Sequence, residues 1–241
     1  MNSLKEILEF RRAVRHYSDQ PIDAEVVKQC AEEAVLAPTS SNMQLYEMYH
    51  IVNKQLLAQM VPACLDQESV ETAEQLVVFV TRQDKYKEHC KALLAAEVEN
   101  VRRNSPPKKQ EKRIKRWEQY YGKFLPFVYA RAFGFLGWLR KGLALGVSLF
   151  RPMMTQVSEG DIRVVVHKSC ALVAQTFMLA MAEKGYDTCP LEGFDARRVR
   201  KLLNLPYGTE INMVISCGIR EDKGVWGDRV RLPIEELYKR V

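Results

Sequence analysis

Residues 167–184, HKSCALVAQTFMLAMAEK, decide the fold because they form a long segment that is apolar on most of its sides. A surface helix carries one apolar stripe, whereas a helix that is apolar nearly all round is buried on several faces. Gly185 follows directly and is a typical helix stop. The segment therefore predicts a central helix around which the rest of the chain packs.

Helices and dispersed strands flank this segment. Short apolar or alternating runs are typical of strands, and they occur at residues 46–52, 76–81 and 210–218. Amphipathic periodicity predicts helices at residues 4–11, 26–34, 54–64, 84–99 and 195–203. A capping box at Ser3 and Glu6 marks the start of the first of these helices. Because helices dominate, we predict the α+β class, with a central mixed or antiparallel sheet wrapped by helices.

The composition bounds the domain organisation and the compartment. A chain of 241 residues that is 47% hydrophobic can remove roughly 70% or more of its unfolded surface from water, and we expect a single domain over residues 1–241. Six scattered cysteines without a C-x-x-C pair argue against a disulfide framework and against a zinc site. The start, MNSLKE, does not resemble a signal peptide. We therefore expect a cytoplasmic protein without a metal.

Charge is concentrated in one segment. The net charge is +6, but residues 101–116 hold eight bases and one acid, so the rest of the chain is nearly neutral. General nucleic-acid binding is therefore not expected. The following residues, 117–150, are strongly apolar and contain ten aromatic side chains. Together these features predict a basic and apolar insertion into the domain at about residues 101–160.

Arginines at both ends of the chain form candidate anion sites. Arg11, Arg12 and Arg15 flank Ala13 at the end of the first predicted helix, and Arg229 and Arg231 alternate near the C-terminus. One guanidinium group can donate two parallel hydrogen bonds to the oxygens of a phosphate, so each of these two arginine clusters suits a phosphate. A solvated helix end and a solvated strand edge are the alternative interpretations.

Two loops could present polar groups to a ligand. In the first, residues 37–44, Pro38 is followed by small hydrogen-bonding residues, namely Thr39, Ser40, Ser41 and Asn42. The second is a turn that follows the central helix, made of Pro190, Leu191, Glu192 and Gly193. We predict a tight bend there, whose backbone amides point into a cavity and whose glycine allows close approach. Ordinary connecting turns would have the same composition.

The order and spacing of these four motifs resemble the FMN-dependent nitroreductase family. The matching stretches are RRAVRHY, APTSSNMQ, PLEG and RVRLP, and the resemblance covers about residues 1–82 and 165–233. It implies a nitroreductase-like fold, an intertwined homodimer and a flavin at the subunit interface.

The resemblance also implies roles for individual residues. Arg11, Arg229 and Arg231 match positions that hold the FMN phosphate, and Arg12 and Ala13 match contacts to the phosphate and ribityl chain. Arg15 matches a base near N1 and O2 of the flavin ring, and the Glu192 backbone N–H matches the donor that faces flavin N5. The set Pro38, Thr39, Ser40, Ser41 and Asn42 matches a loop that reaches the flavin from the other subunit.

The sequence departs from the family in three places. Ala13 stands where a serine is common, which puts one ribityl hydrogen bond in doubt. Leu45 and Tyr46 replace the more usual proline and tryptophan, so the aromatic residue is kept. Residues 66–74 offer no match to an asparagine and a lysine that often lie near the flavin, and that part of the site is unassigned.

The activity implied by the resemblance is ping-pong hydride transfer. NADH or NADPH reduces FMN, and a nitroaromatic, quinone or related small conjugated acceptor then takes the electrons; no side chain acts as a catalytic group. The chain lacks a G-x-G-x-x-G motif after a strand, which disfavours a Rossmann dehydrogenase. A flavin-binding protein without turnover, attached to a membrane surface or not, and a specialised reductive dehalogenase or flavin-fragmenting enzyme are the alternatives.

The insertion has three interpretations. We favour a helical excursion whose apolar face packs on the dimer and covers the flavin cleft. No uninterrupted apolar run in it reaches the roughly 18–20 residues of a spanning helix. Residues 101–150 lying on an anionic membrane surface are the second interpretation. The third is a lid that selects substrate, as in the halotyrosine-deiodinating relatives.

Overall fold

The computed structural model describes residues 3–241 and contains a four-stranded sheet. Its strands are β1 (Tyr46–Ile51), β2 (Gln75–Thr81), β3 (Asp187–Leu191) and β4 (Glu210–Gly218). They lie in the order β1-β2-β4-β3, and every neighbouring pair is antiparallel. The described sheet is therefore antiparallel, and β2, one of its two central strands, is buried along all seven residues.

The described part of the chain contains eleven α-helices. They are α1 (Leu4–Phe10), α2 (Ala24–Ala34), α3 (Lys54–Ala63), α4 (Glu68–Glu71), α5 (Tyr86–Asn104), α6 (Pro107–Gln119), α7 (Leu125–Tyr129), α8 (Phe135–Ser148), α9 (Glu159–Glu183), α10 (Ala196–Leu202) and α11 (Ile234–Leu237). A π-helical segment, Tyr120–Phe124, joins α6 to α7. The predicted capping box at the start of α1 is present, with both Ser3–Glu6 hydrogen bonds formed.

Helix α9 is the predicted central helix, and it begins at Glu159 rather than at His167. The earlier start has a local cause, because Ser158 and Asp161 form a second capping box. Eleven of its residues are buried, and the Phe177 ring lies 5.6 Å from the Phe79 ring of β2. Among the described helices, α9 alone is long and apolar enough to cross a membrane, and its burial in the core accounts for that composition.

The sheet separates two apolar layers. Residues Val77 and Phe79 of β2 face α2 and α9, whereas Leu76, Val78 and Val80 face α3 and α10. Successive strand side chains point to opposite faces, so the uninterrupted apolar run at residues 76–80 follows from coverage on both sides.

The sequence-based prediction of a bend at the PLEG segment was wrong for its first two residues. Pro190 and Leu191 belong to β3 and pair with Ile215 and Val214 of β4, and the strand ends before Glu192. Proline is tolerated there because β3 lies at the edge of the sheet, where a missing N–H costs no ladder hydrogen bond.

The segment at residues 101–160 divides into a packed half and an exposed half. Tyr121, Leu125 and Tyr129 join a third apolar cluster with Met43 and residues of α5 and α9. Most large side chains of α8 remain exposed. The apolar character of this segment therefore has two different structural origins.

Candidate functional site

The two arginine groups that are far apart in sequence line one pocket. Arg11, Arg12 and Arg15 meet Arg229 and Arg231 around a cavity of about 180 Å³, together with Ala13, Asp228 and Trp226. The segment after α1 is extended here, since Ala13 bridges Thr188 and Tyr17 bridges Arg220. The fold thus brings the two ends of the chain together.

Backbone carbonyls, rather than acids, position these arginines. The Arg229 guanidinium donates to the Leu8, Glu9 and Arg11 carbonyl oxygens at 2.9, 3.0 and 2.6 Å. Carbonyls at a helix C-terminus lack intrahelical partners, so Arg229 fastens the C-terminal tail to the end of α1. Arg12 Nη2 similarly donates to the Gly227 oxygen at 2.8 Å. Within residues 3–241, no ion pair joins the five pocket arginines to an acid.

Arg11 is the most unfavourably placed of the five arginines. Its Nε is buried and has no hydrogen-bond partner, which is rare for a buried donor. Burial lowers the pKa of Arg11, and the positive charges of Arg229 and Arg231 lower it further. A bound dianion would satisfy the donor and offset the repulsion. The pocket therefore has the charge and the free donor expected of a phosphate site.

Arg15 lies at the edge of this pocket, against a residue that sequence reasoning missed. Its guanidinium carbon stands 4.6 Å from the Trp226 ring centroid, a cation–π arrangement. The Arg15 backbone N–H donates to the Gly224 oxygen at 2.8 Å. Trp226 directly precedes the arginine tail in the sequence, but only the turn at Gly224 places its ring beneath a guanidinium.

Strand β3 connects the arginine pocket to the PLEG segment. The Val14 N–H donates to the Thr188 oxygen at 3.2 Å, and four residues further along the chain Glu192 lines a separate pocket of about 430 Å³ with His167 and Lys168. The Thr188 hydroxyl is buried without a partner, another feature that the sequence did not signal. Burial raises the pKa of the neighbouring Cys189 thiol, while Arg15 and Arg11 oppose the rise.

The unassigned segment at residues 66–74 contacts both the PLEG segment and the RRAVRHY segment. Gln67 Nε2 donates to the Gly193 oxygen at 2.6 Å and thereby holds the turn after β3. The Tyr17 backbone N–H donates to Thr72 Oγ1 at 3.1 Å. These side chains position the two motifs by contacting backbone, and such contacts leave no signature in the sequence.

The polar loop at residues 38–42 does not line the arginine pocket or the Glu192 pocket of the same chain. Ser40–Asn42 form a short 3-10 turn in which Ser41 and Asn42 have φ near +52°, a region that these short polar residues enter at some cost. Ser41 Oγ lies 2.7 Å from the Tyr120 hydroxyl, and the Tyr121 hydroxyl donates to the Ser41 oxygen at 2.9 Å. Within one chain, the loop therefore faces a pocket of about 980 Å³ between α5 and α6.

Comparisons with known proteins agree with this arrangement. The sequence profile of the Nitroreductase family matches residues 8–219. MhqN of Bacillus subtilis, which is named an NAD(P)H nitroreductase, is 36% identical over 72 residues, or 30% of this chain and 35% of MhqN. Protein DrgA of Synechocystis is 25% identical over 213 residues, or 88% of this chain and 81% of DrgA.

A solved structure extends the likeness to the whole fold. A protein of Exiguobacterium sibiricum, crystallised in complex with FMN, superposes with a TM-score of 0.69 over 100% of this chain and 98% of that one, at 22% identity. The predicted α+β class and nitroreductase-like fold are confirmed. Because the family profile covers most of the sequence and the fold agrees with it, the chain belongs to the nitroreductase family.

Proposed function

We propose that this chain is an FMN-dependent NAD(P)H oxidoreductase. The observation that carries the proposal is the arginine pocket, which holds five guanidinium groups and a buried Arg11 Nε without a partner. A phosphate at this position gives the donor an acceptor and balances the repulsion that lowers the Arg11 pKa. The name of MhqN and the FMN complex of the Exiguobacterium protein support the choice of donor and cofactor.

In this proposal the chain's residues divide the work of holding FMN. Arg11 and Arg231 bind the phosphate, while Arg229 has most of its donors on the α1 carbonyls and acts by its charge and by fixing the tail. Arg12 and Ala13 lie beside the phosphate and the ribityl chain. Since Ala13 has no hydroxyl, its contribution is limited to its backbone.

Two further groups set the electronic environment of the ring. FMN, when bound, supplies the capacity to accept a hydride and pass it on. Arg15, steadied by the Trp226 ring and by its own backbone bond to Gly224, provides a fixed positive charge where reduction leaves negative charge. The Glu192 backbone N–H lies at the end of β3 and is the donor proposed for the reacting edge of the ring.

The proposed site is completed by a second copy of the chain. Within one chain, Ser41 and Asn42 line a different pocket from the arginines, which supports a loop that serves the partner's flavin in a homodimer. Nitroaromatics, quinones or related conjugated small molecules are the proposed acceptors, reduced in a ping-pong cycle. A cytoplasmic location stays a prediction, and cell fractionation tests it.

An anaerobic spectral titration tests the function. Purified protein loaded with FMN is expected to show flavin absorbance that bleaches on addition of NADH or NADPH and returns on addition of a quinone. A protein that cannot be loaded with FMN would refute the cofactor assignment. A protein that holds FMN but bleaches with neither nucleotide would refute the oxidoreductase and support flavin binding without turnover.

A further inference from the structure

Helix α8 has an inverted distribution of polar and apolar residues. Its inner face is formed by Gly137, Arg140 and Ala144, at helical spacing, and all three are buried. Its outer face exposes Phe135, Trp138, Leu139, Leu143 and Leu145, and Leu149 is exposed at its C-cap. A helix on the surface of a water-soluble body normally has the opposite arrangement, and contiguous exposed apolar surface of this kind marks an interaction site.

The orientation of α8 is fixed by specific contacts. The Arg140 guanidinium donates to the backbone oxygens of Val157, Phe127 and Ala130 at 2.8–2.9 Å. A Cβ on Gly137 would lie 2.4 Å from the Glu159 backbone nitrogen, so α8 rests directly on the start of α9. These contacts hold the polar group inside, and the apolar side chains consequently face outward.

The turn that leads into α8 adds a further exposed aromatic ring. Phe133 has φ +49° and a fully exposed side chain, and Gly134 follows with φ +90°. A positive φ is costly for a bulky residue. At the other end of the helix, Phe150 is 90% exposed. Apolar side chains therefore project at both ends of α8 as well as along it.

The surrounding charge indicates the chemistry of the partner. Residues 119–158 contain no acid, and four of their five bases are exposed; of these four, Arg131 pairs with Glu210, whereas no ion pair is formed by Lys123, Lys141 or Arg151 within residues 3–241. A second copy docking face to face through this surface would bring bases against bases with no acid in the segment to pair them. An anionic lipid surface instead offers opposite charge beside an apolar interior.

We propose that α8 and its flanking turns, residues 131–154, lie on the surface of a membrane that contains anionic phospholipid. Phe133, Phe135 and Trp138 enter the boundary between headgroups and acyl chains, and Lys141 and Arg151 bind the headgroups. The helix lies in the plane of the surface and does not span the membrane, since it has only 14 residues. The proposal does not depend on the flavin assignment.

Vesicle flotation of the full-length protein tests the proposal. We expect the wild type to float with vesicles of phosphatidylcholine and phosphatidylserine and much less with phosphatidylcholine alone. Phe135→Ser with Trp138→Ser should lower the partition coefficient at least about tenfold, because each buried apolar side chain contributes to binding. Lys141→Glu with Arg151→Glu should lower it by a similar factor, because each base near an anionic surface contributes about fivefold.

Matched controls separate the surface from general effects. Leu36→Ser with Tyr207→Ser removes two apolar side chains that are 86% and 91% exposed elsewhere, and Arg197→Glu with Lys201→Glu makes the same change in net charge on α10. Both control variants should float like the wild type. Vesicles with brominated acyl chains should quench tryptophan fluorescence, and Trp138→Phe should remove most of the quenching.

Two results would overturn the proposal. The first is a wild type that stays at the bottom of the gradient with anionic vesicles. The second is flotation that persists unchanged in the Phe135→Ser, Trp138→Ser variant. If the first result is accompanied by a dimer that dissociates in that variant, measured by sedimentation velocity, α8 is a contact between subunits instead.

Discussion

Replacing Arg11 with methionine should change stability and cofactor affinity in opposite directions. Methionine keeps most of the aliphatic volume of arginine but removes the guanidinium. In the protein without ligand, that guanidinium carries a buried Nε with no partner and is repelled by Arg229 and Arg231. An unsatisfied buried donor costs about 1–3 kcal/mol. Because Arg11 is only partly buried, we expect Arg11→Met to stabilise the ligand-free protein by about 1 kcal/mol.

The same substitution should weaken FMN binding. A hydrogen bond to a charged group contributes about 1.5–3 kcal/mol, which corresponds to roughly a 10- to 150-fold increase in Kd. Urea unfolding of the ligand-free protein gives the first quantity, and quenching of FMN fluorescence gives the second. Arg197→Met, on the exposed face of α10, is the control and should change neither. A ligand-free variant that is less stable than the wild type and binds FMN equally well would refute the phosphate site and the account of its strain together.

Three further predictions concern separate parts of the molecule. The hydrogen bond from His167 to Glu210, together with Arg163, lowers the pKa of Glu210 to about 2, below its ordinary value of 4.5. The ionised carboxylate therefore stabilises the folded state by about 1–2 kcal/mol after solvent screening. This stabilisation is present above pH 4.5 and is lost as the pH falls towards 2. Glu210→Gln should therefore flatten the dependence of unfolding free energy on pH in that window, and an unchanged slope would count against the network. Gly224→Ala would place a Cβ 2.3 Å from the His16 oxygen, so we expect about 1–3 kcal/mol of destabilisation and weaker FMN binding. Gly142→Ala, whose Cβ would have no atom within 4 Å, is the control and should be neutral or stabilising in thermal unfolding. Equal effects of the two substitutions would contradict the close approach at Gly224. Trp226→Leu removes the ring beneath Arg15 and should weaken FMN binding by about 0.5–2 kcal/mol without lowering the melting temperature of the ligand-free protein, and an unaltered Kd would exclude Trp226 from the site.

The inner and outer faces of α8 explain why one segment supported several interpretations. Its sequence is apolar and contains bases, which suits a packed helix, a lid or a surface element. Periodicity alone does not say which side faces the protein. The three backbone oxygens that receive the Arg140 guanidinium determine that side, and they come from residues 127, 130 and 157.

The sequence alone was sufficient for the motifs and for most helices and strands outside residues 101–160, but it did not predict α4, β3 and α11. A central helix, the α+β class and the order of the four motifs follow from periodicity, caps and local residue types, which are properties of neighbouring residues. The strand character of Pro190 was missed because it depends on the edge position of β3. The start of α9 was missed although its capping box, formed by Ser158 and Asp161, is a local signal in the sequence.

Only the tertiary structure decided which residues share a site. Arg229 lies 221 positions from Leu8 yet donates a hydrogen bond to its oxygen, and Trp226 meets Arg15 after a 3-10 turn that ends at Gly224. The orphaned Arg11 Nε and the outward apolar face of α8 likewise exist only once distant segments have packed. Burial and pairing depend on all the segments that surround a group, whereas periodicity, caps and turn residues act between neighbours in the chain, which is why the sequence specified the parts and the packing specified the site.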